Sequence, residues 1–423
     1  MAETYTVLTT MKNEGAFLLE WFAHHKALGF DRFLICTNDC EDPTTEMVVR
    51  LSKMGLAIHH KTLYAPTQSI QRRALKQGAR YREVKSSDWI YVCDADEFLA
   101  SRIGDGSVRA LTAAGSPDVE AISVPWRRFG TNGQKDYQEG PITRQFVMAN
   151  ATSGPRAHPF AFPKSLFRGE LLREKMISRV GVHVPLPHPD LGHALRVELP
   201  GGVPVQEAHQ KLLVQADYSL AQVNHYQLRS VDSFLVKSAR GKVNHVNDKM
   251  GYRYWAFNDS NDERCDLIRR YDAEVTRWME ELLSDRRLHT LHHRAVRWHR
   301  QKVAELHASP DFAEMIARIE AHRSKMASED ATQTEALAGY QGDLDVPDTP
   351  DEPADAMPKV APPANVPGLG KTGIKAAPPS PTDSRPVKVA PAPATKAAAK
   401  SATKSVAKST GKSAKKPSGA ALT

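Results

Sequence analysis

The chain has 423 residues, 41% of them hydrophobic and 25% charged, with a formal net charge of +8. That length suits one large catalytic domain with appendages, and the composition suits a soluble globular protein with a sizeable core. No run of about 18 apolar residues occurs, which excludes a transmembrane helix.

The opening Met1–Val7 goes straight into a strand pattern, without the basic start and apolar core of a signal peptide, so none is expected. Cys36, Cys40, Cys93 and Cys265 form no C-x-x-C pair, which argues against a zinc site and a disulfide framework and for a reduced, cytoplasmic protein. The charge is unevenly spread: residues 371–423 carry +10 and residues 331–360 carry −6. The high pI therefore belongs to the end of the chain, and no specific nucleic-acid partner is expected for the rest.

In chain order, Tyr5–Thr10 reads as a strand and Glu14–Leu28 as a helix ended by Gly29. Arg32–Thr37 is a second strand, Pro43–Met54 a helix followed by Gly55, Ala57–Thr62 a third strand and Ser69–Tyr81 a third helix. Trp89–Cys93 is a fourth strand and Val119–Trp126 a later one. This alternation predicts an α/β fold, a mostly parallel mixed sheet flanked by helices. Ligands of such sheets bind beyond the carboxyl ends of the strands, here around residues 9–14, 37–42 and 94–98.

The chain then becomes irregular and rich in His, Pro and Gly through Pro204, and helical patterning runs from about Asp262 to Arg323. Within it, Arg286–Lys302 is a basic helix with an apolar stripe, readable as a membrane-surface helix or, better, as a packed helix with a solvated face. The expected organisation is a catalytic domain over 1–260, with a nucleotide half (1–100) and an acceptor half (101–260), then a helical region over 261–328. The Ala/Pro/Lys-rich tail over 329–423 reads as disordered. Its basic end is either a solvated tail or a tether to an anionic membrane, which would make the protein peripheral to the inner face of that membrane.

The strongest chemical signal is Trp89-Ile90-Tyr91-Val92-Cys93-Asp94-Ala95-Asp96-Glu97-Phe98-Leu99, in which an apolar strand delivers Asp94 and Asp96 at its end. In extended chain, residues i and i+2 face the same side, so the two carboxylates are expected to converge on one cation. Hard oxygen ligands suit Mn²⁺ or Mg²⁺, which take remaining ligands from substrate phosphates. Asp-x-Asp is also a common strand-end cap, and Asn13 with Glu14 equally fits a helix start. His289, His292, His293 and His299 have helical spacings that suit a metal or simply a packed helix.

These motifs fall in a larger series. Met11-Lys12-Asn13-Glu14, Glu20-Trp21 with His24-His25, Leu28-Gly29-Phe30, Asn38-Asp39 with Asp42-Pro43-Thr44, and the Asp94–Phe98 block occur in order. Phe129-Gly130-Thr131-Asn132-Gly133, Pro163-Lys164-Ser165, Asn224-His225-Tyr226, Arg229-Ser230, Phe234, Lys237 and Arg240-Gly241 follow. The series resembles family 2 glycosyltransferases, particularly the subgroup close to family 92, over about residues 5–245.

The resemblance implies a GT-A type fold and inverting transfer of a sugar from a nucleotide-diphosphate sugar, by resemblance a UDP-sugar, to a glycan or other hydroxyl acceptor. By position it implies Thr10, Asn13, Glu14 and Asn38 or Asp39 against the nucleotide. It also implies Asp94 and Asp96 on the metal and diphosphate, and His225 as a late metal or phosphate ligand. Lys237 and Arg240 would hold the departing diphosphate, as a point charge and a guanidinium fork. Glu97 and Asp136 are candidates for the general base, with Glu139, His183 and His188 as rivals. A nucleotidyltransferase of similar fold and a non-enzymatic adaptor acting through the basic tail are the alternative readings.

Overall fold

A strand covered on both faces is buried nearly throughout, and in Tyr5–Met11 every residue but Thr10 is buried. In the computed structural model, which describes residues 2–63, 69–205, 213–240 and 250–328, this segment is β1. Arg32–Thr37 (β2) pairs with it in parallel, and Ile58–Lys61 (β3) pairs with β2 in parallel. On its other side lies Trp89–Val92 (β4), also parallel. The connecting helices are α1 (Leu18–Ala27), α2 (Thr44–Lys53) and α3 (Ile70–Gly78). Gly29 and Gly55 turn the chain after the first two at φ 93° and 75°, a region that glycine enters without a Cβ penalty.

Glu97–Ser101 (β5), Ala121–Arg128 (β6), Pro163–Arg168 (β7), Val197–Leu199 (β8), Val203–Pro204 (β9) and Ala221–His225 (β10) complete a ten-stranded sheet among the described residues. Its order is β9-β8-β6-β7-β4-β1-β2-β3, with β10 pairing to both β5 and β6. β7 runs antiparallel between β4 and β6, so direction reverses beside β4. The result is the expected mixed sheet of GT-A type, with the parallel half at the N-terminal side.

The helix expected from Glu14 starts only at Leu18. Asn13 takes φ 55°, which no helix continues through, and the loop is instead tied down by side chains of the neighbouring loop. Gly15 N–H donates to Asp42 Oδ2 (2.8 Å) and Glu14 N–H to Thr44 Oγ1 (2.8 Å). Gly15 is required there, because a Cβ would stand 2.8 Å from the Cβ of Ala295 and 2.8 Å from Asp42 Oδ2.

Val108–Ala113 (α4), Val231–Ala239 (α5), Asp272–Ser284 (α6), Arg286–His307 (α7) and Pro310–Ser328 (α8) follow. The region read as a helical appendage shares the main core: Leu282, Leu288, Leu291 and Ala295 pack in one cluster with Trp21, Phe22 and Tyr91. Arg294 and Arg287 of α7 pair with Glu46, and Arg300 pairs with Glu139. No helix among the described residues is long and apolar enough to cross a membrane. The expectation for the tail, 329–423, lies outside the described residues.

Two core imidazoles make the fold sensitive to acid. His24 Nε2 meets the Leu99 carbonyl at 2.7 Å, and His299 packs against Phe17 and Tyr137 and hydrogen-bonds Ser233. Burial pushes both down to about 4. The unfolded chain, with imidazoles near 6.5, therefore binds protons first, and stability falls as pH drops from about 6.5 towards about 4. We expect the urea midpoint to decrease steadily over that window, with the decrease shallower in His24→Gln. An unchanged wild-type midpoint between pH 7 and pH 4.5 would contradict this account.

Candidate active site

β4 ends at Val92 and β5 begins at Glu97. Between them the chain turns, closed by Glu97 N–H to Asp94 O at 3.2 Å. The expectation that Asp94 and Asp96 lie on one face of an extended strand is corrected: they sit in a turn, and their carboxylates have different partners. Trp21 Nε1 donates to Asp94 O (3.0 Å) and Tyr226 N–H to Asp96 O (2.9 Å), so α1 and the end of β10 hold the turn.

Asp94 accepts from Gln71 Nε2 (2.7 Å) and Lys164 Nζ (2.9 Å). Its side chain is 28% exposed, against 9% for Asp96 and none for Glu97, so it is the carboxylate of the three that solvent reaches. Asp96 accepts from Lys237 Nζ at 2.5 Å. Burial opposes its ionisation, but Lys237, His225 and Arg229 overcome that and hold its carboxyl well below the usual range.

The antiparallel register of β5 and β10 sets His225 directly opposite Glu97. Ligand atoms of Asp96, Glu97 and His225 all lie within 4.8 Å of one another, and all three side chains are buried. Asp94 lies outside this group. Glu97 Oε2 accepts from the Asp94 amide (2.9 Å) and lies 3.2 Å from Lys164 Nζ, while Glu97 Oε1 and His225 Nδ1 have no hydrogen-bond partner among the described residues. Burial, reinforced by Asp94 and Asp96, pushes the Glu97 carboxyl up despite Lys164, and burial pushes the His225 imidazole down despite Asp96.

Three carboxylates thus face two ammonium groups, and the third carboxylate is pushed toward keeping its proton. A buried carboxylate-imidazole set with two ligand atoms unpartnered among the described residues fits a divalent cation such as Mn²⁺ or Mg²⁺.

The other predicted residues divide. Met11 pairs with Thr37 in register, so the loops after β1 and β2 meet: Asn13 Oδ1 accepts from the Glu41 amide at 2.8 Å. Asn13 and Asp39 both take left-handed backbone, φ 55° and 41°, a region that Asn and Asp enter more readily than most side-chain-bearing residues. Thr10 and Asn38 sit at those strand ends. Glu14 is buried and gripped by Arg240 Nη1 (2.6 Å) and Arg229 Nη2 (3.0 Å); burial alone would raise its carboxyl, but the two guanidiniums bring it below its usual value.

Asp136 is exposed in the loop after β6. No hydrogen bond or ion pair among the described residues joins it to Asp94, Asp96 or Glu97. Glu139 pairs with Arg300 of α7, and His188 caps a short turn at Asp190. The histidines of α7 separate, His299 entering the core while His289 and His293 face each other, exposed, at 3.2 Å.

Lys164, Arg229, Gln71 and Trp126 are site residues to which the sequence motifs assign no role. Lys164 could have been noticed as a lysine inside the apolar run Pro163–Phe167, all buried, since a charge there needs partners. Asp94 and Glu97 provide them and raise the ammonium above its ordinary value against the opposing effect of burial. Removing one member leaves buried charge uncompensated, so Lys164→Met should cost about 3–5 kcal/mol, read by urea unfolding. Adding Glu97→Gln should recover part of it, and strict additivity of the two changes would show that they do not interact.

The model of Glycosyltransferase family 92 matches residues 8–281. A family 92 protein of Oryza sativa subsp. japonica is 25% identical over 42% of this chain and 29% of its own length. One of Arabidopsis thaliana is 26% identical over 57% and 38%. The chain thus spans about a third of the length of these curated relatives. Among solved structures, S. aureus TarS 1–349 overlaps with a TM-score of 0.29 at 11% identity, covering 67% of this chain and 72% of that one. With its match running through the β1 loop, the β4–β5 turn and the end of β10, the chain belongs to glycosyltransferase family 92.

Proposed function

We propose that the protein is a metal-dependent inverting glycosyltransferase that moves a sugar from a UDP-sugar to a hydroxyl of a glycan or related acceptor. The observation that carries the reading is the buried group of Asp96, Glu97 and His225, with two unpartnered ligand atoms, beside Lys237 at the carboxyl end of β4. Family membership supports the reaction class.

In this reading Asp96, Glu97 and His225 would hold Mn²⁺ or Mg²⁺, and the ion would supply positive charge for a departing diphosphate. Asn13, Asn38, Asp39 and Thr10, where the ends of β1 and β2 meet, line the nucleotide. Asp94 is fixed by Lys164 and Gln71 yet open to solvent, which suits it to hydrogen-bond hydroxyls of the donor. Lys237 and Arg240 sit one turn apart on and after α5 and hold the diphosphate, a point charge beside a planar fork. Glu97, tied to the Asp94 amide and fully buried, belongs with the cation rather than with the acceptor hydroxyl. Glu14 acts at one remove, by aiming Arg229 and Arg240.

Calorimetry of UDP with and without Mn²⁺ tests the proposal. Asp96→Ala should weaken Mn²⁺-dependent UDP binding by at least about tenfold, about 1.4 kcal/mol, while cooperative unfolding persists; Asp96→Ala binding UDP as tightly as the wild type defeats the reading. Lys237→Ala should weaken UDP binding by a similar factor while leaving that binding dependent on Mn²⁺. NMR of the anomeric proton in the product then reports inversion or retention directly.

A further inference from the structure

A pair of histidines on α7 lies outside the proposed donor chemistry. Leu288, Leu291, Ala295 and Val296 are buried and fix the roll of the helix, which turns His289 and His293 towards solvent. Four residues separate the two, so they stand one above the other on a single helical face. Their ring centroids are 4.4 Å apart at an interplanar angle of 66°, and the two Nε2 atoms face each other at 3.2 Å.

Two nitrogens on one tetrahedral ion, each at about 2.0–2.1 Å from it, stand about 3.3 Å apart, so the pair already has the spacing of two ligands. Without an ion, one neutral ring donates its Nε2–H to the lone pair of the other. Moving that proton to Nδ1 of the same ring leaves two lone pairs aimed at one point. Glu139, in the loop after β6, stands behind His293: its Oε1 lies 4.0 Å from His293 Nδ1, while its Oε2 accepts from Arg300 Nη2 at 2.9 Å. Arg300 thus holds a carboxylate against the ring nitrogen that points away from His289. A carboxylate in that place is the common partner of a metal-ligating histidine, because it fixes the Nδ1–H tautomer and frees Nε2 for the ion. The side chains of His293 and Glu139 are 45% and 40% exposed, so an ion reaches them directly from solvent.

We propose that His289 and His293 form a second metal site, separate from the Asp96 group and selective for a borderline transition ion of the Zn²⁺ type. Imidazole ligands favour Zn²⁺ and its neighbours in the series, whereas Mn²⁺ and Mg²⁺ select oxygen. Among the described residues Asp96, Glu97 and His225 are the one group of three or more ligand atoms drawn close together, so at the histidine pair water completes the coordination. The bound ion ties together one turn of α7, next to Ala295, which abuts Gly15 in the loop after β1.

Calorimetry of Zn²⁺ with the full chain, free of any polyhistidine tag, tests the site. Asp96→Ala, which disables the carboxylate group, should still bind Zn²⁺. Adding His289→Ala or His293→Ala to it, both at solvent-facing positions, should weaken that binding by at least about tenfold. In the wild type, nitrogen NMR of the imidazole rings should show both the His289 and the His293 Nε2 signals moving when Zn²⁺ is added. An Asp96→Ala chain that binds no Zn²⁺, or binding undiminished by either histidine substitution, overturns the site. Unmoved Nε2 signals in the wild type mean that the pair is a hydrogen bond only, and overturn it equally.

Discussion

Carboxylates cannot be gathered in a protein interior without cations among them, and the structure around the end of β4 follows from that constraint. Asp94, Asp96 and Glu97 are crowded into four residues of turn and strand, and two lysines from distant parts of the chain, Lys164 on β7 and Lys237 on α5, converge on them. The antiparallel insertion of β7 beside β4 has a chemical consequence as well as a topological one: it brings an ammonium group to the carboxyl end of the parallel half of the sheet. A second layer, Glu14 between Arg229 and Arg240, repeats the pattern beside the loop after β1 with the signs exchanged. Site and fold are therefore one electrostatic arrangement, and the strands that build the sheet also set its charge balance.

Much of the architecture was legible because long apolar runs punctuated by glycine leave little choice. Arg32–Thr37 is the strand that its composition predicts, and Pro43–Met54 differs by one residue at each end from the helix observed, Thr44–Lys53. The misreadings came where side chains override local preference. Asn13 and Glu14 look like a helix start, yet hydrogen bonds from the Gly15 and Glu14 amides to Asp42 and Thr44 hold that stretch as a loop and delay the helix to Leu18. Asp94 and Asp96 look like neighbours on a strand face, yet a turn closed by the Glu97 amide gives them separate partners. Such outcomes depend on residues tens of positions away, which periodicity does not register.

The site was legible in part for the same reason. Asp96 and His225 are visible as motif residues, but their meeting depends on the register between β5 and β10, a long-range pairing. Trp126 reads as an ordinary strand aromatic, and only its contacts with His225 and His183 set it apart. Asp136, attractive as an acid near a glycine-rich turn, lies on a surface loop whose contacts run to α5 and α8 through Lys135.

The contact between Gly15 and Ala295 carries one more implication. The family match ends at residue 281, yet α7 approaches the loop after β1 through a glycine on one side and an alanine on the other. Any bulkier pair would wedge the helix outward and drag Asn13 and Glu14 with it. The last long helices thus act as a backstop that sets where the loop after β1 lies, and the folded unit extends beyond the segment by which its kinship is recognised.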